Sequence, residues 1–555
     1  GSVDWAAEKE NRVRPRLVTI PAADAFNGAV KLFSAGRRDG FKHKRLTWEE
    51  WWNTRWLSVP SGSAHARTEP LLSKRIELKK QVGFTKKTLL SAVPDLPLQR
   101  LLAIRPSLHA WPSTKFEWGK NRAIYGVDTE GFLITDFAMP HCEQSLSHPI
   151  VIGRRAAEDH VRAAVHAVTA GMLPMCFDYE DFNSQHSVTS MQAVVAAYIH
   201  VNGDVMTRDQ TLAANWVHAS IAETHIHAGV EAGTTSYSTN GTLLSGWRLT
   251  TLINSVLNWV YLDWAGSLSI ADGTLHSGDD VLVATTDLRS AEEFLHRARE
   301  AGIRAQPAKA ATASIAEFLR IDHRGATTGA QYLTRACATA VHARIESSRA
   351  STATELVDAM AVRADELTSR GAPPAMVSRI LARQISFIAR EYSTSDEALS
   401  AYRTLHPMEG GVDRDAHLTG TRLTHQSQTS QEPVDLPLVA AIRPGLSDIV
   451  TWLCKKIQRM DYIPTVFRVV EESVIDSLTF VRRKLVLQHY PVTLVDELHR
   501  NYFGAWRNSV DPGIAAILKG FNPSLMRLGA AGFSPMLRAM FSTSTDITRT
   551  GRLML

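Results

Sequence analysis

Along the chain, apolar residues recur mostly at helical spacing, interrupted by a few short runs that read as strands. After a polar start, Trp48, Trp51, Trp52 and Trp56 crowd one segment. Thr47 with Glu50 three positions on is a capping box that starts a helix there, one that docks its indoles against a subdomain. Helical patterns follow at about 155–170, 189–200 and 210–226, and again from Ser245 onward in a strongly apolar run. They resume at 289–301, where Gly302 ends the helix, then over 331–347 and 353–404. Between these, 113–126 reads as strand-loop-strand, Met175 to Asp178 as an apolar strand stopping in an acidic turn, 268–285 as a hairpin and Ile303 to Lys309 as a strand. Periodicity is lost over 406–437, which is rich in Gly, Thr, Gln, Ser and Pro and reads as a flexible loop or linker. It returns as helix over 438–555. The pattern predicts a mixed α/β chain with an all-helical C-terminal third and no internal repeats.

At 555 residues the chain exceeds what one core holds, so several subdomains are expected. Sixty-one Lys and Arg against 56 Asp and Glu is a mildly basic balance, so a nucleic-acid site must be a local channel. The four cysteines, Cys142, Cys176, Cys337 and Cys454, form no Cys-x-x-Cys pair, which argues against structural zinc or a disulfide framework and fits a reducing intracellular setting. No run of about 18 apolar residues spans a bilayer, and no membrane partner is expected. Gly1-Ser2 without an initiating Met reads as a cleavage scar on a piece of a longer protein.

Candidate chemistry centres on Ser277-Gly278-Asp279-Asp280. Two adjacent carboxylates at a glycine turn repel each other, and a metal-holding turn gives them a purpose. Asp178 ends the acidic strand; if that strand lies beside the hairpin, Asp178 and Asp279 converge and can share two cations about 3.5–4 Å apart. Lys115, Lys120 and Arg122, with Glu117 among them, would present positive charge to a triphosphate or an RNA backbone. Gly246, Thr250 and Asn254 step by four along one predicted helix face, a strip suited to a nucleotide sugar. Ser61, Gly62 and Ser63 form a small-residue loop where backbone can approach phosphate, and Lys309 is a candidate proton donor.

In this order the stretches resemble the motifs of viral RNA-dependent RNA polymerases, in wording similar to totiviruses and related double-stranded RNA viruses. Lys115 to Tyr125 resembles motif F, Asp178 to Ser187 motif A, Ser245 to Ser255 motif B and Ser277 to Asp280 motif C. Lys309 falls at the motif D lysine, Glu317 to Arg320 resemble motif E, and Ser61 to Ser63 motif G. The wording Asp178-Tyr179 through Phe182-Asn183-Ser184-Gln185-His186, with the later stretch around His342 and Arg344, points to the totivirus-like branch. One departure stands at Asn183, where many relatives carry a second Asp: ribose selection survives there, a third metal carboxylate does not.

The resemblance implies an α+β closed right hand: an N-terminal extension and the start of the fingers over 1–95, fingers over 96–171 and 189–240, an antiparallel three-stranded palm sheet within 172–188 and 241–335, and a helical thumb and C-terminal region over 336–555. It implies two-metal nucleotidyl transfer with Mg²⁺, or Mn²⁺ in its place, on Asp178, Asp279 and Asp280. NTP would be bound by Lys115, Lys120, Arg122, Asn183, Ser245, Gly246, Thr250 and Asn254. RNA would be bound by Ser61, Gly62, Ser63, Glu317, Arg320 and Arg344. Expected partners are an RNA template and product, NTPs and a viral capsid protein, fused upstream or separate. The expected place is the virion interior or the host cytoplasm. Two rival readings are a reverse transcriptase, disfavoured by Asn183 where an aromatic gate belongs, and a catalytically silent RNA-packaging or capsid-anchoring protein.

Overall fold

The computed structural model describes residues 3–81, 84–116, 121–229, 235–306, 310–312, 315–323, 333–341, 352–406, 409–413, 415–417, 419–431, 436–478 and 481–489. They divide into two compact units, the first from the described residues up to 80 and from 84 to 323, the second from 81 and 333 to 489. Lys120, Lys309 and Arg344 lie outside the described residues.

In the first unit, strands β1 (Leu108–Phe116), β2 (Asn121–Val127), β4 (Thr224–Ile226) and β5 (Tyr237–Ser238) form one sheet in the order β2-β1-β4-β5. A second sheet, in the order β6-β7-β3-β8, joins β3 (Leu173–Asp178), β6 (Gly273–Ser277), β7 (Asp280–Thr285) and β8 (Ala311–Thr312). All three of its pairings are antiparallel. It therefore has four strands where three were expected. Period-two alternation divides its side chains between two cores. Met175, Phe177, Val281 and Val283 join the main cluster, where Phe177 meets Phe294 edge-on. Leu275, Leu282 and Cys176 pack instead against Val161 and Val165 of the helix Glu158–Thr169 and against Phe318. Asp178 and Asp280 share the parity of this second face, at its rim.

The capping box at Thr47 forms as expected, and Trp51 and Trp52 are core residues. Three expectations need correction. The helix predicted over 210–226 spans Arg208–Ser220, and Thr224–Ile226 pairs in parallel with β1, as suits its Thr and Ile. The apolar helix begins at Thr250, not at Ser245. The loop before it is anchored instead by Arg248, ion-paired with Asp136 at 2.8 Å and with Glu143. Ile303 to Gln306 makes only a bridge, Tyr179 to Ala305, because β3 stops at Asp178 and the left-handed Asp181 (φ 40°) turns the chain away. Beyond these, Glu317–Phe318 (β9) and Ile321–Asp322 (β10) form a small hairpin.

The second unit stacks the helices Ala353–Ser369, Pro374–Glu391 and Asp396–Thr404 around Val357, Leu381, Ile385 and Leu399. Leu436–Lys456 and Ile463–Leu478 are helices as well. The stretch expected as a linker, and the all-helical C-terminal third, are both overturned: Thr421–Gln431 (β11) pairs antiparallel with Val481–His489 (β12). Leu423 and Leu485 of that ribbon are buried in the helical core, which stabilises an otherwise polar strand.

Asp128, between β2 and the helix Thr129–Ala138, is wholly buried, its Oδ2 2.7 Å from Arg67 Nε. Burial, and then Glu130, push its carboxyl up to about 7 against the pull of Arg67. A carboxyl raised above its unfolded value holds its proton more tightly when folded, so its stabilising contribution is full below about pH 4 and is lost as pH climbs through about 7. The wild-type melting temperature should therefore fall more steeply from about pH 5 to about pH 8 than that of Asp128→Asn, by about 2 °C or more. Parallel slopes would show that Asp128 does not carry this titration.

Candidate active site

Strands β6 and β7 are joined by the two-residue turn Gly278-Asp279, with Ser277 paired to Asp280. Gly278 sits at φ 61° and Asp279 has no such left-handed φ, the arrangement of a type II′ hairpin, which requires glycine first. Antiparallel pairing of β3 with β7 then sets Asp178 directly across from Asp280. Both carboxylates leave the same face, with Asp279 exposed on the turn beside them. The expected convergence of the two stretches is thus present, with Asp280 as the direct cross-strand partner of Asp178.

Burial, followed by the charges of Asp279 and Asp178, pushes the Asp280 carboxyl up to about 6; Arg320 opposes the shift and Glu317 adds to it. Arg320 reaches this neighbourhood from a strained turn. Leu319 (φ 51°) and Arg320 (φ 70°) occupy both central positions of the β9–β10 hairpin, a type I′ geometry normally filled by Asn and Gly.

A second cluster joins Asn183, Asn254 and His186. Asn254 Nδ2 donates to Asn183 Oδ1 at 2.9 Å, and Asn254 Oδ1 lies 2.8 Å from Nε2 of His186. His186 is buried and neutral, its pKa depressed to about 4 by desolvation, and its Nδ1 lies 3.1 Å from the Tyr261 hydroxyl. Thr250 opens the same helix one turn before Asn254, but its hydroxyl is taken up by Leu244 O (2.7 Å) and Trp247 O (2.8 Å), fastening the loop before the helix.

Gly246 lies in that loop, bridged in parallel to Gly126. A Cβ at Gly246 would stand 2.2 Å from Tyr125 O, so only glycine allows this approach. Ser245 Oγ accepts from Tyr125 N at 3.1 Å. On the outer face of β2, Gly126 meets Ser63, whose side chain a Cβ there would approach to 3.0 Å. Ser61 and Gly62 are exposed beside it, and Gly62 O accepts from Lys86 N. Farther along the ribbon, Lys115 stands directly across from Arg122, two cations side by side on one face.

The predicted residues therefore gather in three groups: Asp178, Asp279 and Asp280 with Glu317 and Arg320; Asn183 with Asn254; and Ser63, Ser245 and Gly246 at the base of the basic hairpin. Among the described residues, no group of three or more His, Cys, Asp or Glu side chains is gathered tightly enough to hold a metal by itself. Sequence reasoning gave no role to Tyr179, His186, Ser255, Asn258 or His276, all hydrogen-bonded around these groups. A signal for Asn258 was present, since the step of four that singles out Asn254 continues to it.

Residues 1–345 match the family described as viral RNA-directed RNA polymerase. The chain is 34% identical over 457 residues to the probable RNA-directed RNA polymerase of Saccharomyces cerevisiae virus L-A, covering 81% of this chain and 30% of that protein. It is 36% identical over 411 residues to its counterpart from Saccharomyces cerevisiae virus L-BC, covering 74% of this chain and 27% of that one. A similar protein from a Leishmania RNA virus is 28% identical over 298 residues, covering 53% of this chain and 32% of its own length. The chain thus spans about a third of the length of these relatives. With that match over most of the chain, and with the carboxylate, Asn183–Asn254 and basic groups in the order the motifs require, the chain belongs to the viral RNA-directed RNA polymerase family.

Proposed function

We propose that the chain carries out template-directed RNA synthesis, joining the α-phosphate of an NTP to the 3′-OH of a primer or initiating nucleotide with release of pyrophosphate. The observation that carries this reading is the cross-strand placement of Asp178 and Asp280 at the rim of one sheet, beside Asp279. Like charges about 5 Å apart repel by roughly 3 kcal/mol at an effective dielectric of about 20, so three carboxylates here favour a cation. Mg²⁺ suits hard oxygen donors and is commonly bound through one or two carboxylates plus substrate phosphates, so the absence of a complete protein cage is no obstacle. Asp178, Asp279 and Asp280 would hold the divalent ions, Mg²⁺ or Mn²⁺, whose chemistry is activation of the 3′-OH and neutralisation of charge on the leaving pyrophosphate.

The remaining roles belong to the chain's own residues. Lys115 and Arg122, with Lys120 on the same hairpin, draw the triphosphate in, and Lys309 protonates pyrophosphate. Asn183, held by Asn254, offers its amide to the ribose 2′-OH, while Ser245 and Gly246 shape the adjoining wall. Ser61 to Ser63, Glu317, Arg320 and Arg344 contact template or product RNA. The first unit supplies fingers and palm of a right hand and the second a thumb. A capsid protein, fused or separate, is the natural partner, with the virion interior or host cytoplasm as the place of action; no helix among the described residues is long and apolar enough to cross a membrane.

Asp279→Ala should reduce NTP incorporation on an RNA template by at least about a hundredfold with an unchanged melting temperature; wild-type rate in that variant would exclude the site. Asn183→Leu should lower the preference for NTP over dNTP by about tenfold, mainly through the NTP KM. A wild-type chain preferring dNTP would make it a reverse transcriptase, and one that binds RNA yet makes no product a packaging protein.

A further inference from the structure

Asn258 is wholly buried on the helix Thr250–Trp264, one turn beyond Asn254. Its Nδ2 faces the main-chain oxygens of Gly278 (3.0 Å) and Asp280 (3.3 Å). Both are acceptors only, so chemistry alone requires the amide nitrogen at this end. The other end, Oδ1, must then accept, and it lies 2.8 Å from His276 Nδ1 and 3.1 Å from the Tyr179 hydroxyl. His276 consequently carries its proton on Nδ1, which leaves Nε2 to accept from the Thr274 hydroxyl at 2.9 Å. Every polar atom of the Asn258 side chain and the His276 ring is used, and neither the amide nor the imidazole can be reversed without breaking a bond; the Tyr179 hydroxyl also reaches the main-chain oxygen of Asn258 at 3.2 Å. Ser255, on the same helix, accepts from Gly278 N at 2.9 Å.

The partners of this one carboxamide lie on two segments. Gly278 and Asp280 belong to the turn that carries Asp279, and Tyr179 is the residue after Asp178. Asn258 is therefore bonded to both carboxylate-bearing segments from beneath the sheet, on the face away from the carboxylates. We propose that Asn258, oriented by His276, is a positioning residue that holds the Asp178 strand end and the Gly278-Asp279-Asp280 turn in the register in which their carboxylates receive a divalent cation. This rests on the polymerase reading above. Without such a tether the mutual repulsion of the carboxylates would splay strand end and turn, and the cation would have to meet that reorganisation on binding.

The test uses the full chain and Mn²⁺ alone as the probe, read by electron paramagnetic resonance without nucleotide or RNA, alongside the Mn²⁺ dependence of NTP incorporation and the melting temperature. Asn258→Asp is isosteric but turns an oxygen on two carbonyl oxygens. We expect about tenfold weaker Mn²⁺ binding and an equal rise in the Mn²⁺ midpoint of incorporation, with the NTP KM at saturating Mn²⁺ unchanged. His276→Leu should behave likewise, whereas His276→Asn, which keeps a donor near the Nδ1 position, should recover most of the affinity. If Asn258→Asp fails to fold, Tyr179→Phe removes one donor and keeps the ring, and should weaken Mn²⁺ binding about threefold. Variants with wild-type Mn²⁺ binding and only a lowered melting temperature would make Asn258 a core residue and overturn the proposal. A wild-type chain that incorporates NTP no faster than Asp279→Ala at any Mn²⁺ concentration would instead overturn the polymerase reading beneath it.

Discussion

The pairing of Leu173–Asp178 with Asp280–Thr285 is the constraint on which the rest depends, because it sets two carboxylates face to face at the sheet's rim. Left alone, that juxtaposition would favour fraying of both strand ends. Three features oppose it. The apolar alternation of the strands is buried on both faces, by Met175, Phe177, Val281 and Val283 on one side and by Leu275 and Leu282 on the other. A one-residue slip would exchange these sets and expose neither core to its partner. The turn is short and built on a glycine with the φ it requires. And the turn's backbone is hydrogen-bonded from behind by Ser255 and Asn258.

The helix Thr250–Trp264 links the groups of the site. Asn254, Asn258 and Tyr261 recur at helical spacing on the side facing the acidic strand, meeting Asn183, the glycine turn and His186 in succession. The opposite side carries Val256, Leu257 and Val260 into the main core, where Gly28 of the helix Ala22–Arg38 allows Val260 to approach closely. A polar stripe that is fully hydrogen-bonded and an apolar stripe that is fully packed leave the helix little freedom to rotate. The Asn183–Asn254 pair and the Gly278-Asp279-Asp280 turn are therefore coupled through one rigid element, not through loops.

Local signals were legible in the sequence where one physical rule acts alone. The Thr47–Glu50 capping box, the Gly278 turn and the two strands of the basic hairpin follow from capping chemistry, from left-handed φ and from strand alternation, and each appears as read. The failures fall where tertiary contacts outvote local pattern. Nothing within Thr421–Gln431 announces a strand; its partner lies at Val481–His489, and the pairing is supported by burial of Leu423 and Leu485 among helices. Gly246 and Thr250 read as one helix face because four-residue spacing cannot reveal that Gly246 is bridged to Gly126 across the molecule. The site's three groups were nameable, but their buried supports were not, since a histidine such as His276 in an apolar run has the same sequence signature whether or not it orients a neighbour.

Burying His186 and His276 would be a liability if either had to carry charge. Desolvation holds both neutral, with His276 pushed down to about 3 and His186 to about 4, so neither adds charge to the acidic rim at neutral pH. A neutral imidazole has one donor and one acceptor on opposite sides, and in each case the neighbours supply one acceptor and one donor. A lysine or arginine bonded directly to these carboxylate oxygens would compete with a divalent cation of the kind proposed above. Uncharged tethers bonded to the backbone avoid that competition. The carboxylates of the rim thus lie on one face of the sheet, while the bonds that hold strand end and turn together are made on the other.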